Sequence, residues 1–147
     1  MYKSILLPLD GSPLAENALP HAIAIAERFQ AELVLLRVLI PLPRGQTTKE
    51  AALLRAEKET AGFVREYMER IAVSVQERGI TVQLIVIGGR PHTEIIQYAE
   101  SNHIDLIVMC TRGESGLSRW LIGSVSDRVM RGANVPVLMV RAQKLEL

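Results

Sequence analysis

Gly113, Gly123 and Ser124 are the residues whose types and spacing point most directly to chemistry. They lie in a Gly/Ser-rich stretch between an apolar run at 104–109 and a second apolar run near the chain end. Ser124 followed three residues later by Asp127 has the form of a helix N-cap with an acidic N3 partner, opening a helix over 125–131. Such a helix start carries backbone N–H groups without partners and the positive end of the helix dipole. A glycine-rich loop running into it is suited to holding phosphate. Gly113 and Gly123 let the main chain approach an anion with no side chain intervening. Ordinary turn glycines on a long surface connection would leave the same spacing, and spacing alone does not separate the two.

The elements that must position this loop can be read from hydrophobic periodicity. The run at 104–109 is almost continuously apolar, as expected of a strand covered on both faces of a parallel sheet. Residues 3–9 (KSILLPL) and 32–39 (ELVLLRVL) have the same character, and 81–87 (TVQLIVI) is a further strand. The first strand ends at Asp10-Gly11-Ser12-Pro13, where Ser12 as N-cap and Pro13 at the first helical position predict a helix running to Phe29. Pro20 falls inside that helix and is expected to bend it.

Residues 41–45 (PLPRG) break the second strand, and a long helix follows over 48–78. Val64, Met68, Ile71 and Val75 form its inner stripe, and Gly79 stops it. Gly88-Gly89-Arg90-Pro91 makes a turn, and 93–101 is a short helix with Ile95, Ile96 and Ala99 inward.

The order βαβαβαβαβ predicts parallel pairing, right-handed crossovers and helices on both faces of one sheet. In such sheets ligands bind beyond the carboxyl ends of the strands, where the winding reverses. If the first and fourth strands flank that point, Asp10 and the 110–124 loop share one crevice although they are distant in sequence. Both are polar interruptions directly after an apolar strand, which favours the phosphate-loop reading.

Composition narrows the class. A chain of 147 residues suits one α/β domain spanning its whole length, with a sizeable core. A net charge of +1 gives no reason to expect a nucleic-acid or membrane-surface partner. Cys110 is the single cysteine, which excludes an internal disulfide framework and a clustered cysteine metal site. No apolar stretch reaches the roughly 18 residues a membrane span needs, and no signal-peptide pattern opens the chain, so the expected location is the cytoplasm. His21, His92 and His103 are scattered without metal-ligand spacing.

Three segments, ILLPLDGSPLAENAL, DLIVM and GLSRWLIGSVSDRV…PVLMVR, resemble the universal stress protein family over nearly the whole chain. Its nucleotide-binding branch has a signature of glycine, two residues, glycine, nine residues, then glycine and serine or threonine. Gly113, nine residues, and Gly123-Ser124 fit that signature, while Cys110 occupies the first glycine position.

The resemblance implies a three-layer α/β/α fold, Rossmann-like and adenine-nucleotide-alpha-hydrolase-like, with five parallel strands in the order 3-2-1-4-5. It implies binding of ATP or a related adenine nucleotide such as AMP or ADP, with or without Mg²⁺. Pro8, Leu9 and Asp10 would then lie at the adenine and ribose, with Val38 beside the base. Met109 and Cys110 would line the ribose side. Gly113, Gly123, Ser124 and Val125 would hold phosphates, mostly through backbone N–H groups. It further implies a homodimer through the last strand, residues 136–141, which Pro136 opens and Arg141 closes.

Each assignment has a plainer counterpart. Asp10 can simply cap the following turn. Cys110 is more often a small buried hydrophobe than a reactive thiol. Arg112 and Arg119 are solvated loop residues as readily as anion ligands, and Trp120 reads as an apolar anchor for the loop.

For catalysis the sequence offers little. No Gly-Lys-Ser/Thr follows the glycines, so the loop is not a Walker A motif. No second acid stands ready to hold magnesium or orient a water. The expectation is a stress-response or signalling protein that binds nucleotide and hydrolyses it slowly at most. A slow ATPase and a dimeric adaptor of the same fold without nucleotide are the alternatives.

Overall fold

The computed structural model describes residues 1–41, 50–111 and 123–143. Five parallel strands, β1 (Ser4–Pro8), β2 (Glu32–Leu39), β3 (Val82–Gly88), β4 (Leu106–Cys110) and β5 (Val137–Val140), form one sheet in the order β3-β2-β1-β4-β5. The helices are α1 (Leu19–Phe29), α2 (Glu50–Gln76), α3 (Pro91–Ser101) and α4 (Ser124–Gly132). The fold class and strand order are those expected.

The central strands are apolar on both faces because each face is covered by helices. Alternate residues point opposite ways. Ile5, Leu7, Leu33, Leu35 and Val108 meet Ala22, Ala26, Met68 and Val75 of α1 and α2. Leu6, Val34, Leu36, Ile107 and Met109 meet Ile95, Ala99 and Val129 of α3 and α4. β1 pairs with β2 on one side (Leu6↔Val34) and with β4 on the other (Leu6↔Ile107). The winding therefore reverses between β1 and β4, and their carboxyl ends splay open there.

Tertiary contacts override local preference at the helix starts. The first helix does not begin at Pro13. Asp10 accepts hydrogen bonds from the Ser12 N–H (2.8 Å) and hydroxyl (2.5 Å), and the Ser12 hydroxyl accepts the Ala15 N–H (3.2 Å). A 3-10 turn, Ala15–Ala18, follows, and only then α1. Pro20 consequently sits in the first turn of α1, where its missing N–H has no intrahelical role. Pro91, taken as part of a turn, likewise occupies the first turn of α3.

At the opposite end of the sheet, Asp105 joins β1 to β4. Its carboxylate accepts the backbone N–H groups of Lys3 (2.8 Å) and Ser4 (3.0 Å), and its own N–H donates to the Ser4 carbonyl (2.9 Å). Those two backbone hydrogen bonds, with the Lys3 charge, hold the Asp105 carboxyl below the usual carboxylate range. A depressed folded-state value contributes stability above the ordinary Asp range of about 4, lost as pH falls through the folded value. Asp105→Ala is therefore expected to cost about 1–2 kcal/mol at pH 7, the smaller figure reflecting partial solvation. Denaturant melts of wild type and variant should draw together as pH falls below ~4 and converge once it passes the depressed folded value, because protonation removes the same interaction. A pH-independent difference would contradict this account.

Candidate nucleotide site

The reversal between β1 and β4 opens a cleft of about 460 Å³ along the carboxyl edge of the sheet. Pro8, Leu9 and Asp10 enter it from the end of β1, and Val38 from β2. Met109 and Cys110 enter from β4, and Gly123, Ser124 and Val125 from the start of α4. Nine of the ten nominated residues thus line one cleft, and Gly113, Arg112, Arg119 and Trp120 lie outside the described residues. Asp10 and Ser124, far apart in sequence, line the same cleft because β1 and β4 are neighbours in the sheet.

The start of α4 differs from the capping pattern read in the sequence. Gly123 is the N-cap, Ser124 is the first helical residue, and no side chain caps the helix. Strand β4 decides this. Just beyond it, the Thr111 carbonyl accepts the Gly123 N–H at 2.6 Å, and the Gly123 carbonyl accepts the Asp127 N–H at 2.9 Å. The helix therefore starts one residue earlier than local preference suggests, and Asp127 pairs with Arg131 at 3.0 Å instead of with the cap. With the Gly123 N–H committed to Thr111, the N–H groups of Ser124, Val125 and Ser126 are those the helix leaves without intrahelical acceptors. They and the positive helix end define an anion-binding position.

Cys110 is buried among the residues packed against α1 and α2, together with Leu106 and Val108. Its side chain thus belongs to the core layer opposite Met109, which is why a cysteine is accommodated at the strand end. The walls near β2 are apolar, formed by Leu36, Val38 and Ile40 with Ile95 of α3.

Arg37, Thr60 and Ser126 line the cleft without having been singled out in the sequence. For Arg37 a signal existed, a lone cation inside the apolar run ELVLLRVL. The guanidinium lies under Gly11, where an added Cβ would stand 2.9 Å from Nη1. Its Nε and Nη1 are buried without a hydrogen-bond acceptor. Nearby on α2, burial first, and then the charges of Glu16 and Asp10, push the Tyr67 phenol well above its ordinary pKa, so it stays protonated.

Replacing a half-buried guanidinium whose Nε and Nη1 lack acceptors with an apolar chain of similar length removes a desolvation penalty. Arg37→Met is expected to raise stability by about 1 kcal/mol. That corresponds to an increase in Tm of roughly 4 °C, read by calorimetry. A lower Tm would show that the guanidinium makes a stabilising contact in solution.

Among the described residues no cluster of three His, Cys, Asp or Glu side chains can hold a metal ion. No helix of the described residues is long and apolar enough to cross a membrane.

This geometry can be set beside known proteins. Universal stress protein MJ0531 of Methanocaldococcus jannaschii is 36% identical over 152 residues, covering 99% of this chain and 86% of the relative. The solved structure of MJ0577 from the same organism superposes with a TM-score of 0.87 at 33% identity, covering 99% of both chains. A universal stress protein in complex with cAMP superposes at 0.73 with 20% identity, covering 97% of this chain and 98% of that one. One from Archaeoglobus fulgidus in complex with dAMP superposes at 0.67 with 18% identity, covering 94% and 97%. Those last two likenesses establish the fold alone. The model of the universal stress protein family matches residues 1–141, so with the sheet order, the switch-point cleft and these relatives in agreement, the chain belongs to that family.

Proposed function

We propose that this protein binds an adenine nucleotide, ATP or its relatives AMP and ADP, in the switch-point cleft, and acts by being occupied rather than by turnover. The observation that carries the reading is the junction of an apolar slot with a helix start in one cleft. Val38, Pro8 and Leu9 offer a surface for a flat base. Asp10, Met109 and Cys110 face the ribose, and the start of α4 at Gly123, Ser124 and Val125 takes phosphate. Relatives of this fold in complex with cAMP and dAMP support the same ligand class. Gly113 is assigned to the phosphate end on the family signature. Mg²⁺, where it accompanies the nucleotide, would be carried in on the phosphates, with Asp10 the one described carboxylate lining the cleft.

Hydrolysis is at most slow, because the described cleft presents one carboxylate and no lysine. Two copies pair through the exposed edge of β5, where Leu138 is 37% exposed and the strand has no neighbour on its outer side among the described residues. A cytoplasmic stress or signalling role follows from this reading, with occupancy setting partner choice.

The decisive experiment is to release bound ligand from freshly purified protein, identify it by chromatography and mass, and titrate ATP, ADP and AMP by calorimetry. An adenine nucleotide binding at micromolar concentration is expected. An empty cleft and no thermal shift with any of the three would leave the adaptor reading in its place. Phosphate release no greater than that of Asp10→Ala would remove the ATPase reading.

A further inference from the structure

Ser126 is the buried polar side chain of the described core, only 4% exposed, two residues past the first residue of α4. Its hydroxyl donates to the Cys110 carbonyl at 2.7 Å. Cys110 is the last residue of β4, so this bond joins the first turn of the helix to the end of the neighbouring strand.

A serine is not what helix stability alone would select at this position. Alanine has the better helix propensity and brings no polar group into an apolar layer. The hydroxyl is tolerated because its hydrogen bond is made, and that bond has a geometric consequence. Gly123 is already tied to Thr111, whose own N–H donates to the Val140 carbonyl at 2.8 Å. The packing of Val129 holds the body of the helix, and the tie at Gly123 holds its N-cap, but neither sets the direction of the first turn. A second tie at Ser126, to the adjacent carbonyl of the same strand end, fixes the direction in which the helix start points.

We propose that Ser126 is a positioning residue for the phosphate end of the cleft. It acts through the backbone: it holds the N–H groups of Ser124 and Val125 aimed at one point before the ligand arrives. Donors fixed in advance bind an anion without the cost of ordering them at that moment. The base wall, built by Pro8, Leu9 and Val38 from β1 and β2, does not depend on it. The inference rests on the nucleotide reading and adds to it the residue that tunes affinity for the charged part of the ligand.

The test titrates adenosine, AMP and ATP into wild type, Ser126→Ala and Ser126→Thr. Ser126→Ala is expected to weaken AMP and ATP by about tenfold, the worth of one hydrogen bond, while adenosine stays within about twofold. Ser126→Thr, which keeps the hydroxyl, is expected to restore the phosphorylated ligands. An equal loss for adenosine and AMP, or no loss for either, would overturn the proposal.

Should wild type bind none of the three, the nucleotide reading itself fails, and amide hydrogen exchange in the ligand-free protein still decides the latch. The Gly123 and Asp127 amides, bonded to the Thr111 and Gly123 carbonyls, should then exchange about tenfold faster in Ser126→Ala. Unchanged rates would show that the hydroxyl fixes nothing.

Discussion

Gly123→Val is expected to abolish nucleotide binding while the fold survives. The backbone at Gly123 has φ −58° and ψ 151°, a conformation open to any residue, so glycine is not required there by chain geometry. What glycine supplies is room. Gly123 lines the cleft as the N-cap of α4, immediately before the N–H groups of Ser124 and Val125. A β-branched side chain at that point stands over the helix start and denies a phosphate its approach. The expected loss of ATP affinity is at least 100-fold, about 2.7 kcal/mol. Valine is a poor N-cap compared with glycine, which costs about 1 kcal/mol and lowers Tm by roughly 4 °C. Calorimetric titration alongside a melting curve separates the two effects. Wild-type affinity in the variant would move the phosphate site elsewhere.

Gly11→Val is the substitution expected to cost most in stability. Gly11 has φ +83°, in the left-handed region that penalises a Cβ and penalises a branched one further. An added Cβ would also stand 2.9 Å from Nη1 and 3.6 Å from Cζ of Arg37. Strain and crowding together should cost about 3 kcal/mol, and Gly11→Ala about 2. Gly79 provides the reference. It has φ +81° but nothing within 4 Å of a built Cβ, so Gly79→Ala reports the backbone penalty without the contact. The difference between Gly11→Ala and Gly79→Ala in urea unfolding measures how firmly Arg37 is held. Equal values would mean that the guanidinium moves aside freely.

Arg37 and Gly11 also illustrate which features could be read in advance. A cation within ELVLLRVL breaks an otherwise buried run, and a glycine after a strand marks a turn. That the two touch depends on β1 and β2 lying side by side with Leu7 opposite Leu35, which no local pattern states. Ser126 carries no such signal in the sequence, for the opposite reason. A serine near a helix start reads as a surface cap, and its burial against β4 is a property of packing. Ser124 was assigned the cap that Gly123 holds, because local propensity carries no knowledge of the Thr111 carbonyl waiting at 2.6 Å.

By itself, the sequence determined the order of strands and helices, the burial of the central strands, the polar ends of the first and fourth strands, and the turn from glycine into a helix. These are periodic or nearest-neighbour properties, and a chain displays them residue by residue. Tertiary structure alone decided that Asp10 and Ser124 line one cleft, that the helix opens at Gly123, that Cys110 lies in the core, and that Ser126 ties α4 to β4. Each of these depends on which strand lies beside which. That choice is made by the burial of whole faces, between residues far apart along the chain.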